Sequence, residues 1–425
     1  MDGLGVGRGR PVWGEEFDVS RRRVFWNAHL IDGCGGPAVD AASVTIEGDQ
    51  IVAIGAAAGD PPPDAVDVAG LTLMPGLIDA HVHLSSDTSR SPGFGPPPAL
   101  HGEDPRPREL GYFILANTAR AMLRAGITTV RDVGAYDGEA IVLRRAVELG
   151  LVDGPRILSC GRIVTATSPG ERIFTSMYYE ADGPWAMRRA VRRQIKDGAD
   201  FIKVMATGAR SVDREDPEPA QMTVEEFAAV VDEARRIGVR VAAHAEGLAG
   251  ARLAVEEGAD TIEHGLSLHR APALLDLMAA RGIVLVPTLT TFHDVADRFA
   301  TEFAPRLVEQ ARHQLDDAYL TLAAAQTAGV PIAMGYDSGP PGASAGEIVR
   351  LAEGGLGARG AIHAATAGSA AALGFDDRGT IEVGKRADIL LVDGNPLADP
   401  GILVDSGRIR LVIQGGRDVA GKDAG

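Results

Sequence analysis

The stretch Met74-Pro75-Gly76-Leu77-Ile78-Asp79-Ala80-His81-Val82-His83 separates two kinds of sequence in this chain. Before it the pattern is β: an apolar run at 24–30, then alternation at 42–47 and 50–54 around Gly48-Asp49, which reads as a hairpin. After Pro75-Gly76, short apolar runs alternate with helix-patterned segments. Candidate strands fall at 77–83, 128–132, 156–159, 201–205, 240–244, 261–264, 283–288 and 332–337. The segment 223–237 is the clearest helix, with Thr223 as cap, Glu226 three residues on and Gly238 as its stop. Eight such strands separated by helices predict an α/β fold, a closed (β/α)8 TIM barrel. An open doubly wound sheet is the competing arrangement.

Beyond the barrel the chain returns to β at 387–392 and 409–414, with Gly415-Gly416 as a turn. The two terminal β segments are each too short to fold alone. They are therefore expected to combine, 24–74 with 376–425, into one small β-sandwich beside a barrel at 75–375. Residues 1–23 read as a flexible tail without the apolar core of a signal peptide. Pro and Gly cluster at 91–107 and 339–342, each after a strand ending in polar residues, where loops of a barrel carry chemistry.

A length of 425 residues accommodates a barrel and a companion domain, and 45% hydrophobic with 24% charged residues is ordinary for a globular protein. The formal net charge of −16 opposes binding to nucleic acid or anionic membrane. No apolar run is long enough to span a bilayer. Cys34 and Cys160 build no disulfide framework and read as buried thiols of a reducing compartment, so the expected location is cytoplasmic.

In a strand, alternate side chains share a face, so Asp79, His81 and His83 point the same way. Two imidazoles at a strand's C-terminal end suit a metal, although a His-x-His pair alone is equally a surface or core pair. Phe201-Ile202-Lys203-Val204-Met205 buries a lysine in an apolar strand, which is costly unless the charge is paired or removed. Either Lys203 is salt-bridged, or its neutral amine adds carbon dioxide and becomes an anionic ligand able to bridge two ions. His244, His264 and Asp337 each close a further predicted strand. In a barrel all these groups reach one mouth.

This ordered set resembles the amidohydrolase superfamily, and within it the imidazolonepropionase-like and Xaa-Pro dipeptidase (prolidase-like) branch. The motif containing His81 carries the resemblance together with Gly126-Ile127-Thr128-Thr129-Val130-Arg131-Asp132 and Ile202-Lys203-Val204-Met205-Ala206-Thr207-Gly208. So do Asp260-Thr261-Ile262-Glu263-His264-Gly265 and, near the end, Gly379-Thr380-Ile381-Glu382-Val383-Gly384-Lys385-Arg386-Ala387-Asp388. The resemblance implies a binuclear centre, usually zinc. His81, His83 and Asp337 would hold one ion, His244 and His264 the other, and carboxylated Lys203 would bridge them with a hydroxide. It further implies attack of that hydroxide on a linear amide or peptide bond of a small molecule, of Xaa-Pro or N-acyl amino acid type, in a homo-oligomer. A cyclic amidase or imidazolone ring opener is the alternative, and a non-catalytic binding protein a remote one. Ring openers and deaminases of the superfamily often use one ion without a carboxylated lysine, so Lys203 points away from deamination.

Asp337 is the expected proton shuttle between the attacking water and the leaving amine. Arg210 and Arg172 are candidates to bind a substrate carboxylate in a two-pronged contact, against the plainer reading of solvated charges. Tyr178 and Tyr179 either donate to the developing oxyanion or simply pack. Phe174, Met177 and Trp185 are expected in an apolar wall or the core. His101 and His293 lie in mouth loops but are not needed as ligands. The chain departs from the related dipeptidases at 165–172, which lacks a histidine found in their Gly-Gly-His-like segment, and at Arg210, where a small residue is common.

Overall fold

The computed structural model describes residues 22–85, 108–210, 212, 215–298, 300–301, 305–337, 339–340 and 342–421. Residues 1–21 of the expected tail and the Pro/Gly cluster at 91–107, with His101, lie outside the described residues. The strands are β1 (Arg22–Leu30), β2 (Val39–Glu47), β3 (Gln50–Ala56), β4 (Ala65–Asp67) and β5 (Leu71–Pro75), then β6 (Leu77–Val82), β7 (Ile127–Asp132) and β8 (Arg156–Ser159). They continue with β9 (Ile163–Thr165), β10 (Tyr178–Glu180), β11 (Ile202–Met205), β12 (Val241–Ala245), β13 (Thr261–His264) and β14 (Val284–Val286), and close with β15 (Ile389–Asp393), β16 (Ile409–Gln414) and β17 (Arg417–Gly421).

The terminal segments meet in one eight-stranded sheet, ordered β17-β16-β15-β5-β1-β2-β3 with β4 against β1. β5 pairs antiparallel with β15, Leu73 opposite Leu391, and this pairing joins the two ends of the chain. The expected hairpin is β2–β3: Glu47 pairs with Gln50, and Gly48, at φ 60°, supplies the left-handed residue that a two-residue loop needs. Phe25, Val44, Ile46, Ile51, Leu73, Ile389 and Ile413 pack together without solvent exposure, so strands from both ends share one apolar core. An ion pair reinforces the union, since Arg386, itself held by Asp377 (2.8 Å), bonds Asp49 (3.0 Å) across it.

β6 to β14 are parallel in two groups, β6-β7-β8 and β10-β9-β11-β12-β13-β14. They are near-continuously buried, as expected of parallel strands covered on both faces. Residues 332–337, read from sequence as a whole strand, form only isolated bridges, Ile332 with Leu285 and Asp337 with Val82. Backbone bonds nevertheless tie this segment to β14 (Leu285 N to Pro331 O, 2.9 Å) and to β6 (Ala80 N to Met334 O, 2.8 Å; Asp337 N to His81 O, 2.6 Å). Between the two groups, Asp200 N donates to Ser159 O at 2.8 Å. The helix Val224–Ile237 carries the full reciprocal cap, with Thr223 accepting from Glu226 N and Glu226 from Thr223 N.

The short parallel pair β9–β10 was not legible: its three-residue strands fall below any period that a pattern resolves. Trp185 is 84% exposed at the start of the helix Pro184–Asp197, not in a wall or core, because it stands outside that helix's buried stripe. Cys160 is buried, but Cys34 is exposed in the turn after β1, held by Asp32. Among the described residues no helix is long and apolar enough to cross a membrane.

Candidate metal centre

His81 and His83 stand at the end of β6, and Asp337 bridges to the same strand. Their ligand atoms all lie within 4.8 Å of one another. Nε2 of His81 and of His83 are 3.8 and 3.6 Å from Asp337 Oδ1. The second pair of histidines is adjacent: the His264 ring is 5.1 Å from that of His81 and 4.7 Å from that of His244, centre to centre. Lys203, buried on β11, is close enough to disfavour protonation of all four histidines and to favour ionisation of Asp337. The six residues named from sequence are thus brought into one buried neighbourhood.

Backbone strain helps to do this. His264, Thr288 and Asp337 have φ of 66°, 50° and 71°, a left-handed region that side chains other than glycine rarely occupy. Strand alternation would send Glu263 and His264 to opposite faces. The left-handed turn at His264 swings its ring back, so both neighbours reach the interior.

Each imidazole is oriented by a hydrogen bond. Nδ1 of His81 meets Glu263 Oε2 (2.6 Å), Nδ1 of His83 meets Gly134 O (2.9 Å), and Nδ1 of His264 meets Thr288 Oγ1 (2.7 Å). A ring that uses Nδ1 in this way presents Nε2 to an ion. His244 is reversed, with Nε2 3.2 Å from Gly208 O, which leaves Nδ1.

Burial keeps the imidazoles neutral. It drives His81, His244 and His264 well below the usual histidine range, with help from nearby cations, and His83 to about 4. It pulls the Lys203 amine down to about 8 and pushes the Asp337 carboxyl up to about 6. Neutral imidazoles beside a carboxylate, with ring orientations fixed, are a donor set that fits a divalent cation. Among the described residues, His81, His83 and Asp337 are the one group of three or more such donors converging this tightly.

The substrate-side candidates differ. Arg210 is buried, not solvated: Nη1 lies 3.0 Å from Glu246 Oε1, and the guanidinium stacks 3.9 Å over Phe292, whose ring neighbours His264 at 6.3 Å. Gln314 holds the other Glu246 oxygen at 3.0 Å. Tyr178 is buried at the start of β10 against Phe174, ring centres 5.0 Å apart, and burial pushes its phenol up. Arg172 is exposed on the short helix Glu171–Phe174. His293 bonds the Tyr319 hydroxyl at 2.8 Å. Sequence reading named neither Glu263, Arg131 nor Glu246 for a role. The reasoning that singled out Lys203, a charge within an apolar strand, applies equally to Arg131 and Glu263.

The profile of the Amidohydrolase family matches residues 72–419. The chain is 30% identical over 450 residues to the ochratoxinase of Aspergillus niger, covering 98% of this chain and 90% of that protein. It is similar to the solved structure of a Xaa-Pro dipeptidase with bound methionine in the active site, at TM-score 0.82 and 32% identity, covering 94% of this chain and 99% of that one. It is also similar to a prolidase complexed with N-methylphosphonate-L-proline, at TM-score 0.83 and 30% identity, with the same coverage of both chains.

Proposed function

From the premise that this chain belongs to the amidohydrolase family, we propose that it is a binuclear metal-dependent hydrolase of a linear amide or peptide bond in a small molecule. The substrate class is a dipeptide of Xaa-Pro type, the chemistry named for the similar dipeptidase and prolidase structures, or an N-acyl amino acid. The observation that carries this reading is the convergence of His81, His83 and Asp337 within 4.8 Å, with the His244 and His264 rings beside them. His81, His83 and Asp337 would hold one ion and His244 and His264 the other, with Lys203, as its carboxylated form, between them. When bound, two divalent ions, taken to be zinc, supply a hydroxide near neutral pH and polarise the scissile carbonyl.

The chain's own residues do the rest. The Lys203 amine, at about 8, is neutral in part near pH 7, the form that can add carbon dioxide. Asp337, at about 6, is suited to accept a proton from the attacking water and return it to the departing nitrogen. Without that proton the amide nitrogen leaves poorly. Arg210, held by Glu246 and stacked on Phe292, would be the cation that takes a substrate carboxylate, with Tyr178, near Glu246, and Arg172 as further substrate contacts.

The same reading takes 75–375 as a closed barrel and 24–74 with 376–425 as a β-sandwich. The backbone bonds linking β14, residues 331–337 and β6, and the one between β8 and Asp200, support it. Metal analysis of the purified chain, followed by a hydrolysis screen with added zinc on Xaa-Pro dipeptides, N-acyl amino acids and cyclic amides, tests the proposal. Turnover of a linear class is expected. A wild-type protein that holds no divalent ion and that Lys203→Ala matches in every assay would end the catalytic reading.

A further inference from the structure

Arg131, Glu263 and His81 form a continuous buried chain of hydrogen bonds, with exposures of 2%, 0% and 1%. Glu263 Oε2 accepts from His81 Nδ1 at 2.6 Å, and Glu263 Oε1 accepts from Arg131 Nη2 at 2.8 Å and from the Thr261 hydroxyl. Arg131 spreads its remaining donors widely: Nη1 reaches Thr261 Oγ1 at 3.0 Å, and Nε reaches Ala80 O at 2.5 Å. Ala80 directly precedes His81. One guanidinium on β7 thus clamps the backbone of β6 and the side chains of β13, the two elements whose relative placement sets the His81–Glu263 contact.

We propose that Arg131 and Glu263 are positioning residues that fix His81 in its Nδ1-protonated form and thereby set the affinity of the centre for a divalent ion; this rests on the metal-centre reading above. A neutral imidazole has two tautomers, and only one leaves Nε2 bare toward Asp337 and His83. Glu263, as acceptor, selects that tautomer and makes the ring a stronger donor to a cation. The planar fork of Arg131 holds Glu263 in place in a way that a lysine's point charge does not reproduce. Arg131 and Glu263 are both buried and reach the centre through the His81 ring, so their effect is exerted through His81.

Three measurements on the full chain test this. First, nitrogen NMR of the zinc-loaded wild type should show His81 protonated at Nδ1; protonation at Nε2 overturns the proposal. Second, competition with a chromogenic chelator should show Glu263→Gln weakening zinc affinity by roughly ten- to a hundredfold. Third, the double variant Arg131→Met with Glu263→Gln removes both charges, so no buried cation is left unpaired. It should fold where the single variant struggles, yet bind zinc as weakly. A double variant with wild-type affinity shows a role in folding only and overturns the proposal. Wild-type protein that binds zinc alongside unchanged variants sinks this inference alone, whereas wild-type protein that binds no zinc sinks the metal-centre reading with it.

Discussion

Gly335 lies where the last parallel segment crosses β6, and replacing it by alanine tests how that crossing seats the centre. A Cβ at this position would come 2.4 Å from Val286 Cγ1, 2.7 Å from His81 Cβ and 3.4 Å from His81 N. Ordinary carbon–carbon contact is about 3.5–4.0 Å, so the Val286 methyl is short by about 1 Å and His81 Cβ by nearly as much. Val286 is fully buried. His81 is pinned through its backbone, since its carbonyl accepts from Asp337 N at 2.6 Å, and its ring is held by Glu263. Neither neighbour can yield without breaking such contacts. Gly335→Ala should therefore cost about 1–3 kcal/mol of stability, as overpacking does. It should also shift His81 relative to Asp337 and weaken zinc binding. Adding Val286→Ala relieves one clash and leaves the other, so the double variant should regain stability but not zinc affinity. Urea unfolding and chelator competition measure the two effects separately. A Gly335→Ala protein with wild-type stability and affinity would refute the close approach on which the argument stands.

On the proposed binuclear reading, Lys203→Ala should lower turnover by more than about a hundredfold and should remove the carbamate carbon resonance expected from wild-type protein in labelled bicarbonate. At the helix Val224–Ile237, Thr223→Ala should cost about 1 kcal/mol. Glu226→Ala should cost more, roughly 1–2 kcal/mol, because Glu226 accepts from both Thr223 N (2.9 Å) and Gly183 N (2.7 Å); urea midpoints rank the two. Arg378 and Arg386 hold the Asp377 carboxyl down at about 2. Its contribution to stability is present above the ordinary carboxylate range, near about pH 4, and is lost as pH falls through about 2. Asp377→Asn should flatten that part of the melting-temperature profile, by less than about 1 kcal/mol because the side chain is 38% exposed.

The strand positions were legible because buried parallel strands are short apolar runs, and the predicted ones closing at His83, His244, His264 and Asp337 each carry a polar residue at one end. Register and pairing between the chain's two ends were harder. The β5–β15 ladder is set by residues over 300 positions apart, and only the economy of two short β segments pointed to it. The segment 332–337 kept its place between β14 and β6 but pairs only through isolated bridges at its two ends, Ile332 with Leu285 and Asp337 with Val82.

The centre itself divides along the same line. His81 and His83 obey alternation, so a period of two predicts their shared face. Glu263 and His264 break it, because a φ of 66° at His264 turns a strand end inward. No side-chain pattern announces that turn, apart from the Gly265 that follows, itself at φ 66°. The consequence is chemical as well as geometric. With both neighbours inside, one residue orients His81 while the next stands beside it, ring centres 5.1 Å apart. A single strand end thus brings two consecutive side chains to His81. A substitution that forbids the left-handed turn at His264 would be felt at His81 without touching it.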